Sequence, residues 1–110
     1  MLDELLILKK IKGGDIKAFE ELFRRYYFPL CCYAAGITGQ MEVAEEIVEE
    51  LFYVLWKERE RLQIFQSVKS YLYRATRNQS LQYCEHEEVR NRYRETVLTC
   101  LLYTSDAADD

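Results

Sequence analysis

Glycine and proline are scarce in this chain. Only four Gly and one Pro occur in 110 residues, and none lies beyond Gly39. Hairpin turns and short loops draw on these two residue types. Residues 40–110 therefore lack the punctuation of a β-meander or sandwich, which points to an all-α fold. There is one histidine, His86, and no C-x-x-C spacing. The common zinc patterns are thereby excluded, and Cys31, Cys32, Cys84 and Cys100 read as small apolar fillers kept reduced. No apolar run approaches the length of a bilayer span. The first residues are acidic and amphipathic and do not read as a signal peptide. No membrane insertion is expected, and the expected location is cytoplasmic. Ser/His/Asp arrangements, Gly-rich phosphate loops and H-E-x-x-H are all missing. No catalytic residue, metal or cofactor is expected, so the chain does not read as an enzyme.

What is present is a segregated charge. The formal net charge is −4, but its distribution says more than its sum. From Gln40 to Trp56 there are five Glu and no Lys or Arg, whereas Lys57–Arg94 carries nine Lys or Arg against five Glu. Three of the last five residues are Asp. Hydrophobic residues at 49% and a length of 110 suffice for one domain with a single core.

Periodicity predicts about four helices in a compact bundle. Residues 2–12 place Leu5, Leu8 and Ile11 on one face. Gly13-Gly14 ends that helix, and Asp15 is an N-cap for the next. The second helix buries Phe19, Leu22, Phe23, Tyr26, Tyr27, Leu30 and Ala34, with a kink or interruption expected near Phe28 because Pro29 lacks an N–H. Gly36 and Gly39 flank its end. The third runs from about Met41 to Glu60, with Val43, Ala44, Ile47, Val48, Leu51, Phe52, Leu55 and Trp56 as its apolar stripe. Residues 59–67 break the pattern. Ser67 caps a fourth helix that buries Val68, Tyr71, Leu72, Ala75 and Leu81, exposes Lys69, Arg74 and Arg77, and extends to about Arg94. The domain is expected to span residues 1–95. Residues 96–110 are expected to be a poorly ordered tail, and LLYTSDAADD at 101–110, with no helix pattern, reads as non-native sequence.

Two faces carry chemistry. Glu42, Glu45, Glu46, Glu49 and Glu50 share one side of the third helix without a compensating lysine. Like charges three and four residues apart repel, so this face is either simply solvated or a surface for a basic partner. In Val68–Leu81, VKSYLYRATRNQSL, cations stand beside aromatic rings. Cations engage phosphates, rings stack on bases, and Asn can bond a base edge. The alternative is that Tyr71 and Leu72 are core and the arginines solvated.

Three stretches, in order, resemble region 2 of the extracytoplasmic-function (ECF) sigma factors, of the sigma-70 family. GDIKAFEELFRRYYFPL at Gly14–Leu30 is similar to the opening helix, AEEIVEELFYVLWKERERL at Ala44–Leu62 to the polymerase-binding helix, and VKSYLYRATRN at Val68–Asn78 to the promoter-reading helix. The resemblance implies a transcription-initiation module without enzymatic activity. Its partners would be core RNA polymerase, through the clamp coiled coil of the largest subunit, and the non-template strand of the promoter −10 element. An anti-sigma factor is a further partner the resemblance admits. It implies polymerase contacts at Glu45, Glu46, Glu49, Glu50 and Phe52, where the family often has Asp and Gln at the positions of Glu46 and Glu49. It implies DNA contacts at Leu62, Phe65, Lys69, Tyr71, Tyr73, Arg74, Arg77 and Asn78. The loop at about Leu62–Val68 would match the pocket that captures a flipped base. Tyr71 stands where the motif usually has Trp. The second, −35-reading domain of such factors has no room here, so the chain is expected to be a fragment that does not start transcription efficiently from a duplex promoter. The competing reading is a helical protein-interaction (adaptor) domain without DNA binding. A duplex-reading helix-turn-helix is disfavoured, because no short turn joins two helices in the basic half.

Overall fold

The computed structural model describes residues 4–63 and 67–109, with side chains up to 99. Four helices form: α1 (Glu4–Lys12), α2 (Ile16–Thr38), α3 (Met41–Lys57) and α4 (Val68–Asp109), with a 3₁₀ turn at Arg59–Arg61 between the last two. Helix α1 stops where glycine permits it. Gly14 sits at φ +89°, and the N–H groups of Gly13 and Gly14 bond back to Lys9 and Ile11. Asp15 then caps α2, its Oδ1 accepting from the N–H groups of Lys17 at 3.0 Å and Ala18 at 3.2 Å. These bonds satisfy donors that the first helical turn leaves without partners.

Helix α2 runs unbroken through Pro29, where an interruption near Phe28 is expected from sequence. Pro29 faces solvent, so the Arg25 carbonyl deprived of its N–H partner lies on the side open to water. The helix ends at Gly39, φ +78°, whose N–H bonds the Ala35 carbonyl at 2.8 Å. Gly36 lies inside the helix rather than beside its end. Helix α3 stops at Lys57, short of Glu60, and the chain tightens into the 3₁₀ turn.

Helix α2 is the spine of the bundle and packs most extensively on α3, then on α4 and α1. Phe19 and Phe23 of α2 meet Phe52 of α3 edge-on at 6.1 and 5.0 Å, and Phe19 lies 5.1 Å from Trp56. Such ring pairs add about 0.5–1.5 kcal/mol each beyond area burial. Ile7, Leu8 and Ile11 of α1 complete the core together with Leu62 and Val68, which bracket the loop before α4. The Tyr26 hydroxyl donates to Glu4 Oε1 at 2.6 Å, and Arg25 bridges Glu4 and Glu21. Helix α1 is thereby laid antiparallel on the first half of α2. Burial and the Glu4 bond push the Tyr26 phenol up to about 12.

Ser67 caps α4 as expected, its Oγ accepting from the Ser70 N–H at 3.0 Å. Val68, Leu72, Thr76 and Ser80 are buried, each four residues from the last. Leu81, expected in the apolar stripe, is 40% exposed, because it follows Ser80 by the 100° that one residue turns in a helix. The largest departure from expectation is the length of α4. Its 42 residues make a rod of roughly 63 Å at about 1.5 Å per residue, and the molecule is 73 Å long but only 24 × 22 Å across. The body is a four-helix bundle, but the whole chain is not compact. Residues 96–109, within the stretch expected as a poorly ordered tail, continue the helix. No Gly or Pro follows Gly39 to stop it. Every residue from 88 to 99 is exposed.

Candidate nucleic-acid interface

Two exposed surfaces follow from the packing. On α4 the line Val68–Leu72–Thr76–Ser80 faces the bundle. Lys69, Arg74, Arg77 and Asn78 are exposed, and Arg74 lies one turn from both Arg77 and Asn78. Among the described residues, Lys69, Arg74 and Arg77 have no ion pair. Tyr71 and Tyr73 are both half-buried. Two residues apart on a helix means about 200° apart, so the two rings lie on opposite flanks of the basic face. Tyr73 is held by Tyr33 of α2, edge-on at 5.1 Å. A strand crossing Arg74 and Asn78 would meet one ring on each side rather than a continuous stacking platform.

The acidic face of α3 exposes Glu42, Glu45, Glu46, Glu49 and Glu50. The glutamates are not equivalent. Glu49 accepts a hydrogen bond from the Tyr27 hydroxyl at 3.3 Å and leans toward α2. Burial, then Cys31, then Glu49 push the Tyr27 phenol far above its ordinary value. Burial also raises the Cys31 thiol. On the other flank, Glu46 and Glu50 rim an open groove of about 460 Å³ between α3 and α4, floored by Ile47, Leu51 and Val54 and closed by Gln79.

Two expected contact residues are not on any surface. Phe52 is 1% exposed and Leu62 is 7% exposed. Phe52 is clamped by the aromatic rings of α2, and Leu62 is drawn into the core as the chain leaves the 3₁₀ turn. Both lie beneath the exposed surfaces. Phe65 lies outside the described residues. What the sequence reading missed on α3 is Tyr53 and Val54, 60% and 42% exposed. Tyr53 stands amid the glutamates with the Lys57 ammonium 6.0 Å from its ring centre. The signal was available: Tyr53 falls four residues after Glu49 and three after Glu50, on the acidic side. Arg59 is also committed, its guanidinium 4.4 Å over the Trp56 ring and donating to the Trp56 carbonyl at 3.0 Å. It fastens the start of the loop.

Comparison with known proteins gives two findings. The family described as Sigma-70 region 2 matches residues 22–89, which takes in most of α2, all of α3 and the bundle part of α4. No curated sequence matches the chain significantly. Among solved structures, an NMR structure of an engineered region 2 of sigmaE in complex with GTAAAA superposes with a TM-score of 0.69 at 21% identity, covering 81% of this chain and 93% of that one. At that identity the likeness is one of fold.

Proposed function

The chain belongs to the Sigma-70 region 2 family, and from that premise we propose that it docks on core RNA polymerase through α3 and holds the opened non-template strand of the promoter −10 element on α4. The factor is of the ECF type and works in the cytoplasm. The observation that carries the reading is the exposed α4 face. Three of its cations have no acidic partner among the described residues: Arg74 and Arg77 lie within one turn of Asn78, and Lys69 stands in the first turn, after a loop pinned at both ends by Leu62 and by Val68.

Each side chain has a physical task. The cations neutralise phosphates, with release of counterions as the driving term. Asn78 offers both a donor and an acceptor to a base edge. Tyr73, oriented by Tyr33, and Tyr71 supply ring faces on the two flanks. A base turned out toward the loop costs a few kcal/mol of unstacking, and contacts to that base offset it. On α3, Glu45, Glu46, Glu49 and Glu50 present negative charge to a basic coiled coil, and exposed Tyr53 supplies an amphipathic anchor of the type enriched at interface centres. Phe52 holds that face rigid from beneath. An anti-sigma factor would compete for one of these faces.

The test uses fluorescence anisotropy with a labelled GTAAAA strand, the hexanucleotide carried by the sigmaE region 2 complex. Replacing Arg74, Arg77 and Asn78 together by Ala should abolish binding to the strand and leave binding to core polymerase intact. Reversing Glu45, Glu46, Glu49 and Glu50 to Lys should do the opposite. A wild-type chain without affinity for any −10 strand, at low salt and with polymerase present, would leave the adaptor reading in its place.

A further inference from the structure

The cations of this chain sort into three groups. Arg24, Arg25, Arg61, Arg90 and Arg92 are ion-paired to glutamates. Lys57 and Arg59 lie over aromatic rings. Among the described residues the remainder, Lys9, Lys10, Lys12, Lys17, Lys69, Arg74, Arg77 and Arg94, have no acidic partner and are exposed. Three of these form the α4 face already described, and Arg94 stands far out on the projecting helix. The other four cluster at the junction of α1 and α2, in the sequence KKIKGGDIK.

The acidic groups closest in sequence are engaged, Glu20 by Arg24. The Asp15 carboxylate is turned into the α2 N-terminus as its cap. Glu4, at the far end of α1, is taken by Tyr26 and Arg25. Four ammonium groups spread over nine residues raise the local potential in a way that mixed surface charge does not. The junction also has a definite place. Phe19, in the first turn of α2, touches Trp56 near the end of α3. Helix α1 packs on the 3₁₀ turn and on α4. The lysines therefore sit at the end of the bundle where α3 gives way to the 3₁₀ turn that leads to the loop before α4. All four precede residue 22, at which the family match begins, so membership in the family assigns them nothing.

We propose that the α1–α2 junction is a second nucleic-acid site, binding the phosphate backbone of the strand as it runs beyond the bases held on α4. The inference rests on the strand-binding role of α4. It assigns Lys9, Lys10, Lys12 and Lys17 a sequence-independent contact with phosphates, so that the chain covers more strand than α4 alone reaches.

Two single strands separate the sites: the hexamer GTAAAA and a 20-nucleotide strand with that hexamer at its centre. Binding of each to the full chain is followed by anisotropy from 50 to 200 mM salt. In the variant K9Q/K10Q/K12Q/K17Q the salt slope for the 20-mer should fall by about 3, four phosphates at about 0.7 each. Hexamer affinity should stay within about twofold. The control R90Q/R92Q/R94Q, which removes charge elsewhere, should leave the 20-mer slope unchanged. A quadruple variant with the wild-type slope on the 20-mer, or with equal losses on both strands, overturns the proposal. A wild-type chain that ignores the hexamer yet binds the 20-mer through these lysines keeps the junction site and overturns the α4 reading instead.

Discussion

Thr76 and Ser80 offer the sharpest test of how α4 is held. Both are fully buried, and neither hydroxyl has a hydrogen-bond partner. They lie on the same face of α4 as Tyr73 and Cys84, which touch Tyr33 and the Ile37 carbonyl of α2. The two hydroxyls are thus sealed in the α2–α4 seam. A buried hydroxyl without a partner costs about 1–3 kcal/mol. Thr76→Val replaces it with a methyl of nearly equal volume, so no cavity opens. The expected gain is about 1 kcal/mol, the low end of that range, because valine is no better a helix former than threonine. Ser80→Ala removes the oxygen and adds about 0.5 kcal/mol of helix propensity, against a small packing loss, for a similar net gain. The double variant should gain about 2 kcal/mol, which for a domain of this size raises Tm by roughly 8–16 °C. Urea unfolding followed by circular dichroism reads it directly, with an unchanged m-value. Strand binding should not move, since the substitutions lie opposite Arg74 and Asn78. Destabilisation of more than about 0.5 kcal/mol by Thr76→Val would refute the reasoning, because only a satisfied hydroxyl is missed when it goes.

Other expectations concern the core and the α1 clasp. Phe52→Ala should cost about 3–5 kcal/mol in chemical denaturation and weaken polymerase binding only as far as it unfolds the chain, whereas Tyr53→Ala should leave stability near wild type and lower polymerase affinity. Tyr26→Phe removes the hydrogen bond to Glu4 and should cost about 1–2 kcal/mol. The Tyr26 phenol, raised by burial to about 12, favours its protonated form in the folded state. Its contribution is therefore complete below pH 10 and lost as pH rises from 10 toward 12. The stability of Tyr26→Phe should show a correspondingly weaker decline over that window.

Much of the fold was legible because it rests on local rules. The Gly13-Gly14 stop, the Asp15 and Ser67 caps and the apolar lines of α2 and α3 follow from residue type and spacing alone. Of the site, the exposed positions Glu45, Glu46, Glu49, Glu50, Lys69, Arg74, Arg77 and Asn78 lie where helical phase puts them. Phe52 falls in the apolar stripe of α3 by helical phase, and its burial against Phe19 and Phe23 follows that phase rather than the surface contact the family motif implies. Leu62 lies outside any helix, so only the packing of the chain after the 3₁₀ turn decides that it faces the core. The run of α4 past Arg94 was missed for a different reason. Amphipathic periodicity marks only the part of a helix that packs on a neighbour, and residues 88–99 are all exposed. Pro29 does not interrupt α2, since a proline whose orphaned carbonyl faces water need not end a helix.

The length of α4 has a consequence for amide hydrogen exchange. Up to about Cys84 its amides are tied to the bundle, and their exchange requires opening the seam with α2 and α3, at a free energy near that of global unfolding. From Glu88 to Thr99 every residue is exposed, and helix formation there depends on propensity and on i,i+4 pairs such as Glu88–Arg92, which contribute only tenths of a kcal/mol each. Helices of such length without packing are marginal in water. Protection should therefore fall by orders of magnitude within about one turn around Glu87, without any break in the backbone geometry. One continuous rod is, in its opening equilibria, two helices of very different persistence.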